Sequence, residues 1–229
     1  MRRGGRPLNA RKVALFLAGA VLLVLVLAQV FLPRIAASEV SSRVGRYGSV
    51  ESVSVSAWPA VKLLWGSVDS VRVKARSLTI EPAQAAKLLW ESRHVAREDI
   101  SAERVKVGSL QLSEATLRKR GPRLSALAST DQSAVRAALP EGFDVQLLRS
   151  QGGQVEVQTS GGLFGVGSGV DALALASEGR LLAHPRGFLI EGFQLTIFAD
   201  PHIYVEGVSA ALTRGSTPSY RLGMTATLR

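Results

Sequence analysis

The sequence predicts an α+β protein: an N-terminal transmembrane helix followed by a long, curved, mostly antiparallel sheet covered by two or three helices. Three observations carry that prediction. Val13 to Leu32 is an uncharged run of twenty residues, and a helix rising about 1.5 Å per residue crosses a hydrocarbon core of about 30 Å at that length. From Val53 onward, apolar and polar residues alternate in stretch after stretch, the period-two signature of strands with one buried face. Helical spacing interrupts that alternation in few places, so a small number of helices must cover many strands.

The apolar run is preceded by Arg2, Arg3, Arg6, Arg11 and Lys12 and followed by Pro33-Arg34. Cations collect on the cytoplasmic side of spanning segments. Residues 1–12 are therefore predicted to be a cytoplasmic basic tail, 13–32 a single-pass anchor in the cell membrane, and 33–229 an extracytoplasmic domain. The apolar centre is longer than that of a signal peptide, and Ile35-Ala36-Ala37 is a poor cleavage site, so the anchor is read as uncleaved. Lys plus Arg number 28 against 18 Asp plus Glu. Without the five N-terminal cations the balance is 23 to 18, or +5, too small and scattered for a nucleic-acid partner. Cys is absent, which excludes disulfides, thiolate metal sites, a Cys nucleophile and a lipidated cysteine.

Ile35, Val40, Val44 and Tyr47 recur at near-helical spacing from Arg34 to Tyr47, and Gly45 and Gly48 end the run. A short amphipathic helix is predicted to leave the membrane first. Val53 and Val55 alternate with Ser, while Val71, Val73 and Ala75 alternate with Arg72, Lys74 and Arg76; both read as strands. Pro59 and Pro82 open runs that end in the same tetrapeptide, Lys62-Leu63-Leu64-Trp65 and Lys87-Leu88-Leu89-Trp90, which predicts a strand and then a proline-initiated helix used twice. Further strands are predicted over Val105 to Leu112, Phe143 to Leu148, Gln154 to Thr159, Val170 to Ala176, Phe188 to Phe198, His202 to Ala211 and Tyr220 to Leu228. Turn residues such as Gly152-Gly153, Gly161-Gly162, Glu178-Gly179, Asp200-Pro201 and Gly215 to Pro218 separate most of them. Thr130-Asp131 starts a third helix, with Ala134, Val135, Ala138 and Leu139 as its stripe and Pro140 as its stop. So many consecutive strands predict a sheet that twists and curls.

Convergent polar groups of the kind an enzyme needs are missing. His94 and Glu98 are four apart and could share a helix face, but a zinc site wants three or four ligands; the simpler reading is a solvated helix surface. His184 and His202 each adjoin a proline in apparent turns. Ser168 lies in Gly165-Val166-Gly167-Ser168-Gly169, where Val166 and Val170 occupy the positions a nucleophile elbow requires as glycine. No catalytic residue, metal site or cofactor is assigned.

Basic side chains gather on the strand face Arg72, Lys74, Arg76 and in the turn Arg118, Lys119, Arg120, Arg123. Near a bilayer each can meet a lipid phosphate at about 1 kcal/mol; the plain alternative is a solvated strand face and a basic loop. Trp65 and Trp90 follow Leu-Leu pairs at the ends of short helices, where indole suits either a membrane interface or a core. Trp58, next to Pro59, reads as core.

The stretch Val53-x-Val55-x-x-Trp58-Pro59-x-x-x-Leu63-Leu64-x-Gly66-x-Val68-x-x-Val71-x-Val73 resembles the opening motif of the LmeA-like family, actinobacterial envelope proteins that bind phospholipid. Thr130 to Leu139 resembles the family's later helix, and the resemblance runs from about Ile35 to Pro185. The second Lys-Leu-Leu-Trp helix and Arg93 to Arg104 depart from the pattern. The resemblance implies no catalytic residues and a phospholipid ligand.

Together these features lead to the expectation of a non-enzymatic, membrane-anchored phospholipid-binding protein of the cell envelope, holding acyl chains in an apolar groove. Leu64, Trp65 and Trp90 are the expected apolar contacts, and Arg72, Lys74 and Arg76 the contacts to an anionic headgroup. In the short helix, Leu63 is expected in the permanent core. The alternative is a structural or interaction module that recruits another envelope protein without bound lipid.

Overall fold

Among the residues that the computed structural model of the chain describes, which are 29, 31–65, 67–138, 143–161, 168–186, 194–213 and 219–229, the alternating stretches form twelve strands in two sheets. Helix α1 (residues 31–45) leads through a turn at Arg46 and Tyr47 into β1 (Gly48–Ser56). A short 3-10 helix (Ala60–Trp65), β2 (Ser70–Ile80), α2 (Pro82–Glu91), β3 (Arg97–Val107), β4 (Leu110–Arg120), β5 (Arg123–Asp131) and α3 (Gln132–Ala138) follow. The remaining strands are β6 (Phe143–Gln151), β7 (Gln154–Gly161), β8 (Ser168–Ser177), β9 (Arg180–Arg186), β10 (Leu195–Phe198), β11 (Ile203–Thr213) and β12 (Ser219–Leu228).

The seven-stranded sheet runs in the order β1-β2-β3-β4-β5-β12-β11 and is antiparallel except where β2 and β3 pair in parallel. Parallel neighbours need a crossover, and α2 is that crossover. Its start is fixed by Pro82 in the first turn and by Glu81 N donating to Gln84 Oε1 at 3.3 Å. The helix after Pro59 instead joins the antiparallel pair β1 and β2. The two Lys-Leu-Leu-Trp runs are therefore not copies of one unit.

β2 shows why this sheet has one dry face: Val73 and Ala75 are buried, while the alternating Arg72, Lys74 and Arg76 are exposed. Followed across the register, Val71, Glu98, Lys119, Leu124, Ala226 and Val205 share the dry face. α2 covers part of it, with Ala86 packed among Leu124, Ile203, Ala226 and Leu228. Each large aliphatic side chain removed from water there is worth about 1.5 to 3 kcal/mol. α1 runs the length of β1, from Gln29, bonded to Ala57 and Ala60, to Tyr47, whose carbonyl accepts from Thr79 N at 2.6 Å. Its half-buried residues Leu32, Ala36, Val40 and Val44 recur at helical spacing.

β10-β9-β8-β7-β6 is an antiparallel meander placed in sequence between α3 and β11. Part of it meets the outer edge of β11. Val205 N donates to Gly179 O at 2.9 Å, Val208 N to Gly153 O at 3.2 Å, and Ala210 N to Ser150 Oγ at 2.9 Å. Donors that an edge strand would otherwise leave open are thus closed. The expected single long sheet is two, because alternation marks which residues are strand and not which strand lies beside them.

Two further elements differ from expectation. Val105 to Leu112 is not one strand: Gly108, at φ +58°, reverses the chain between β3 and β4, and that conformation favours glycine. β5 was not anticipated, since its Leu-Ser-Ala-Leu-Ala-Ser run has little β-branching. The predicted tail 1–12, most of the anchor Val13 to Leu32, and the features expected at Gly66, Leu139-Pro140, Gly162 to Gly167, Phe188 to Phe193 and Gly215 to Pro218 lie outside the described residues. Among the described residues no helix is long and apolar enough to cross a membrane.

Candidate functional site

The segment between β1 and β2 turns at one end of the seven-stranded sheet. Pro59 O accepts from Lys62 N at 3.0 Å to start the 3-10 helix, and the Asp69 carboxylate takes Trp58 N at 2.6 Å. Ala57 and Ala60 are buried beneath it. That packing turns the larger side chains outward: Trp58 is 72%, Leu64 66% and Trp65 75% exposed, while Leu63 is half-buried. Trp58, expected in the core, is on the surface, because the small alanines on either side of the Trp58-Pro59 pair fill the corner in its place. Leu63 is less buried than the permanent core position expected of it.

Arg72, Lys74 and Arg76 stand on the wet face of β2. Arg72 faces Asp99, which faces Arg118, so the strand face and the turn read separately in the sequence join into one basic face. Arg76 Nη2 lies 3.3 Å from Glu51 Oε1, and Arg120 makes a two-pronged contact with Asp99 at 2.8 and 3.1 Å. Among the described residues no ion pair engages Arg72, Lys74 or Arg118.

Lys119 does not belong to that face. Period two turns it to the dry side, where it is fully buried, 3.1 Å from Glu98 Oε1 and 2.8 Å from Ser92 O, and also bonded to Val95 O. Its ammonium ties the loop after α2 to β3. Glu98 is therefore a buried strand residue and His94 an exposed residue of the preceding turn; the shared helix face considered for them does not exist. Trp90 stacks on His202, with ring centroids 4.0 Å apart and planes 11° apart, and the Arg93 guanidinium lies 4.5 Å from its ring. α2 lies on the dry face, so Trp90 is separated from Arg72, Lys74 and Arg76 by the sheet itself. His184 sits within β9, in a strand and not a turn, with Nε2 2.7 Å from Gln194 Nε2.

A polar cluster joins α3 to β6 and β12. Gln132 donates to Asp144 Oδ1 at 2.7 Å and to Val145 O at 2.8 Å, and accepts from the Tyr220 hydroxyl; Arg136 lies 2.6 Å from Asp144. The Arg136 hydrogen bond holds the Asp144 carboxyl below its ordinary value, and Asp144 in turn raises Arg136. Burial, then the Asp144 charge, pushes Tyr220 up. At the other end of β6, by its hairpin with β7, a cavity of about 270 Å³ is lined by Arg149, Gln151, Gly152, Gln154, Glu156 and Leu173, a lining that suits water or polar groups and not acyl chains.

The six expected contact residues thus fall in three places: Leu64 and Trp65 at the sheet end, Arg72, Lys74 and Arg76 on the wet face, Trp90 on the dry face. Trp58, expected in the core, and Arg97, which was not singled out, join the first of these. A family model described as LmeA-like phospholipid-binding matches residues 24–228. It extends past Pro185 to the last strand. No curated protein and no solved structure matches the chain.

Proposed function

The chain belongs to the LmeA-like phospholipid-binding family, and from that premise we propose that it is a membrane-anchored, extracytoplasmic phospholipid-binding protein of the cell envelope, without catalytic activity. The observation that carries this reading is the reach of the family match, which begins at residue 24, inside the apolar run, and continues through the last strand. An uncharged stretch of spanning length preceded by five cations supports a single pass with the N-terminus in the cytoplasm. Exposed Leu64 and Trp65 supply apolar surface for acyl chains. The open cations Arg72 and Lys74 support an anionic headgroup; Arg76, already beside Glu51, contributes less.

The test is lipid extraction from a fragment starting at Arg34 and purified without detergent, followed by mass spectrometry. Phospholipid in stoichiometric amount is expected, and its absence would overturn the reading. For the headgroup, replacing Arg72, Lys74 and Arg76 by Gln should weaken binding to phosphatidylglycerol vesicles by about 1 kcal/mol per open cation. High salt should reproduce that loss in the parent. Equal binding of parent and variant at low salt would assign this face to solvent alone.

A second reading has an observation of its own. β10 exposes Leu195 and Ile197 on an edge strand, and edge strands recruit partner chains. A lipid-free fragment that retains a second envelope protein would favour an interaction module.

A further inference from the structure

Three features meet at the end of the seven-stranded sheet where β1 finishes and β2 begins. The first is the tether. Gln29, the one amide in the apolar run, accepts from Ala60 N at 2.7 Å and donates to Ala57 O at 3.5 Å. Gln29 therefore fixes the end of the run to this corner. The second is the exposed apolar surface of Trp58, Leu64 and Trp65 on the same corner. The third is a row of like charges. In the register, Ser56 faces Ser70, Ser70 faces Arg97, Arg97 faces Arg120, and Arg120 faces Arg123. All three arginines are on the wet face and exposed.

Like charges directly opposite each other on neighbouring strands are destabilising. Asp99 neutralises Arg120, and among the described residues no ion pair engages Arg97 or Arg123. A sheet that places an unfavourable row beside exposed indoles and the end of its own tether has the composition of a membrane interface: aromatic rings at the level of the headgroups, cations at the phosphates. We propose that this end of the sheet is seated on an anionic bilayer, with Trp58, Leu64 and Trp65 entering the interface and Arg97 and Arg123 holding headgroup phosphates on either side of the Arg120–Asp99 pair. The proposal rests on the membrane-anchored reading and adds an orientation to it: the strands point their β1–β2 end at the bilayer, and the Gly108 turn points away. Gln29 sets that orientation by fixing the tether to the seated corner.

Because the chain has no cysteine, single labels can report it. The full chain carrying Ser67→Cys, beside the exposed corner, or Ser109→Cys, in the opposite turn, is labelled with an environment-sensitive fluorophore. Each is placed in nanodiscs of phosphatidylglycerol and phosphatidylcholine containing a headgroup-nitroxide lipid. The label at 67 is expected to be strongly quenched and the label at 109 to stay unquenched. Replacing Arg97 and Arg123 by Gln, with Arg120 and Asp99 left paired, should weaken the quenching at 67, though the tether still holds that corner near the bilayer, while the melting temperature holds or rises. Equal quenching at both positions, or quenching at 109 alone, overturns the seating. Self-quenching between labelled copies without lipid quenching assigns the corner to a second copy and also overturns it. Flotation of the parent with vesicles is read separately: flotation without quenching at 67 removes the seating and keeps the anchor, whereas failure to float removes both.

Discussion

Lys119 and Glu98 face each other across β4 and β3, 3.1 Å apart and buried on the dry side of a sheet whose other side carries the cations flanking Lys119 in sequence. An ammonium in that position must be fully bonded, and it is, through Glu98, Ser92 O and Val95 O. Removing it leaves a buried carboxylate and two carbonyls without their donor. Lys119→Met should therefore destabilise by about 3 to 5 kcal/mol. Adding Glu98→Leu should recover part of the loss, the remainder reflecting the orphaned carbonyls at about 1 to 3 kcal/mol. Urea denaturation measures both; a single variant as stable as the parent would show that the ammonium is dispensable.

The corner between β1 and β2 separates stability from contact with lipid. Leu64 and Trp65 are mostly in water, so Leu64→Ala and Trp65→Ala should change stability by no more than about 0.5 kcal/mol. Leu63, half-buried, should cost about 1 to 3 kcal/mol. Phospholipid uptake should follow the opposite order, falling in the Leu64 and Trp65 variants and holding in the folded fraction of Leu63→Ala. If uptake follows stability in all three, the exposed side chains do not touch lipid.

Two carboxylates, at the start of α3 and in β6, contribute to the acid limb. The Ser133 hydroxyl, at 2.6 Å, and Ala134 N hold Asp131 below its ordinary value at the start of α3, and Arg136 does the same for Asp144. A lowered folded pKa means that the unfolded chain binds protons more readily. The stability these groups contribute is present above the unfolded carboxylate pKa, about 4, and is lost as pH falls through the lower folded values. Asp144→Asn should accordingly flatten the fall in urea midpoint between about pH 6 and pH 3. Parallel pH profiles for parent and variant would remove Asp144 from the acid transition.

Local alternation made β6, β7, β8, β11 and β12 legible, and the Thr130-Asp131 cap located α3, where Asp131 takes the Ala134 N–H. Lys119 was readable too. Period two applied to Arg118-Lys119-Arg120 already puts its middle member on the other face, but charge runs invite reading as a unit. The arginine row is different in kind. Arg97, Arg120 and Arg123 become neighbours through strand pairing, and no local pattern carries pairing. Gln29 likewise stood out as an amide among apolar residues, yet its partners lie 28 and 31 positions away. The candidate site was legible in its residue types and illegible in its geometry, since contact at that range is set by the fold.

The joint between the two sheets turns on one glycine. Gly179 sits at φ +78°, and its carbonyl accepts from Val205 N. A Cβ at this position would come within 2.2 Å of Tyr204 Cδ2 and 2.9 Å of its Cγ, and a ring that swings away gives up the Arg229 guanidinium 3.7 Å from it. Gly179→Ala thus meets two costs, left-handed backbone strain of about 1 to 2 kcal/mol and overpacking of about 1 to 3 kcal/mol. Gly121, at φ +58° with no atom within 4 Å of its would-be Cβ, supplies the comparison: Gly121→Ala meets the strain alone. The difference between the two variants isolates the Tyr204 contact. Hydrogen exchange should localise it, with the Val205 and Val208 amides exposed faster in Gly179→Ala while those of β2 and β3 keep parental protection. Equal losses in the two variants, with β11 exchange unchanged, would mean that the sheets are held together elsewhere.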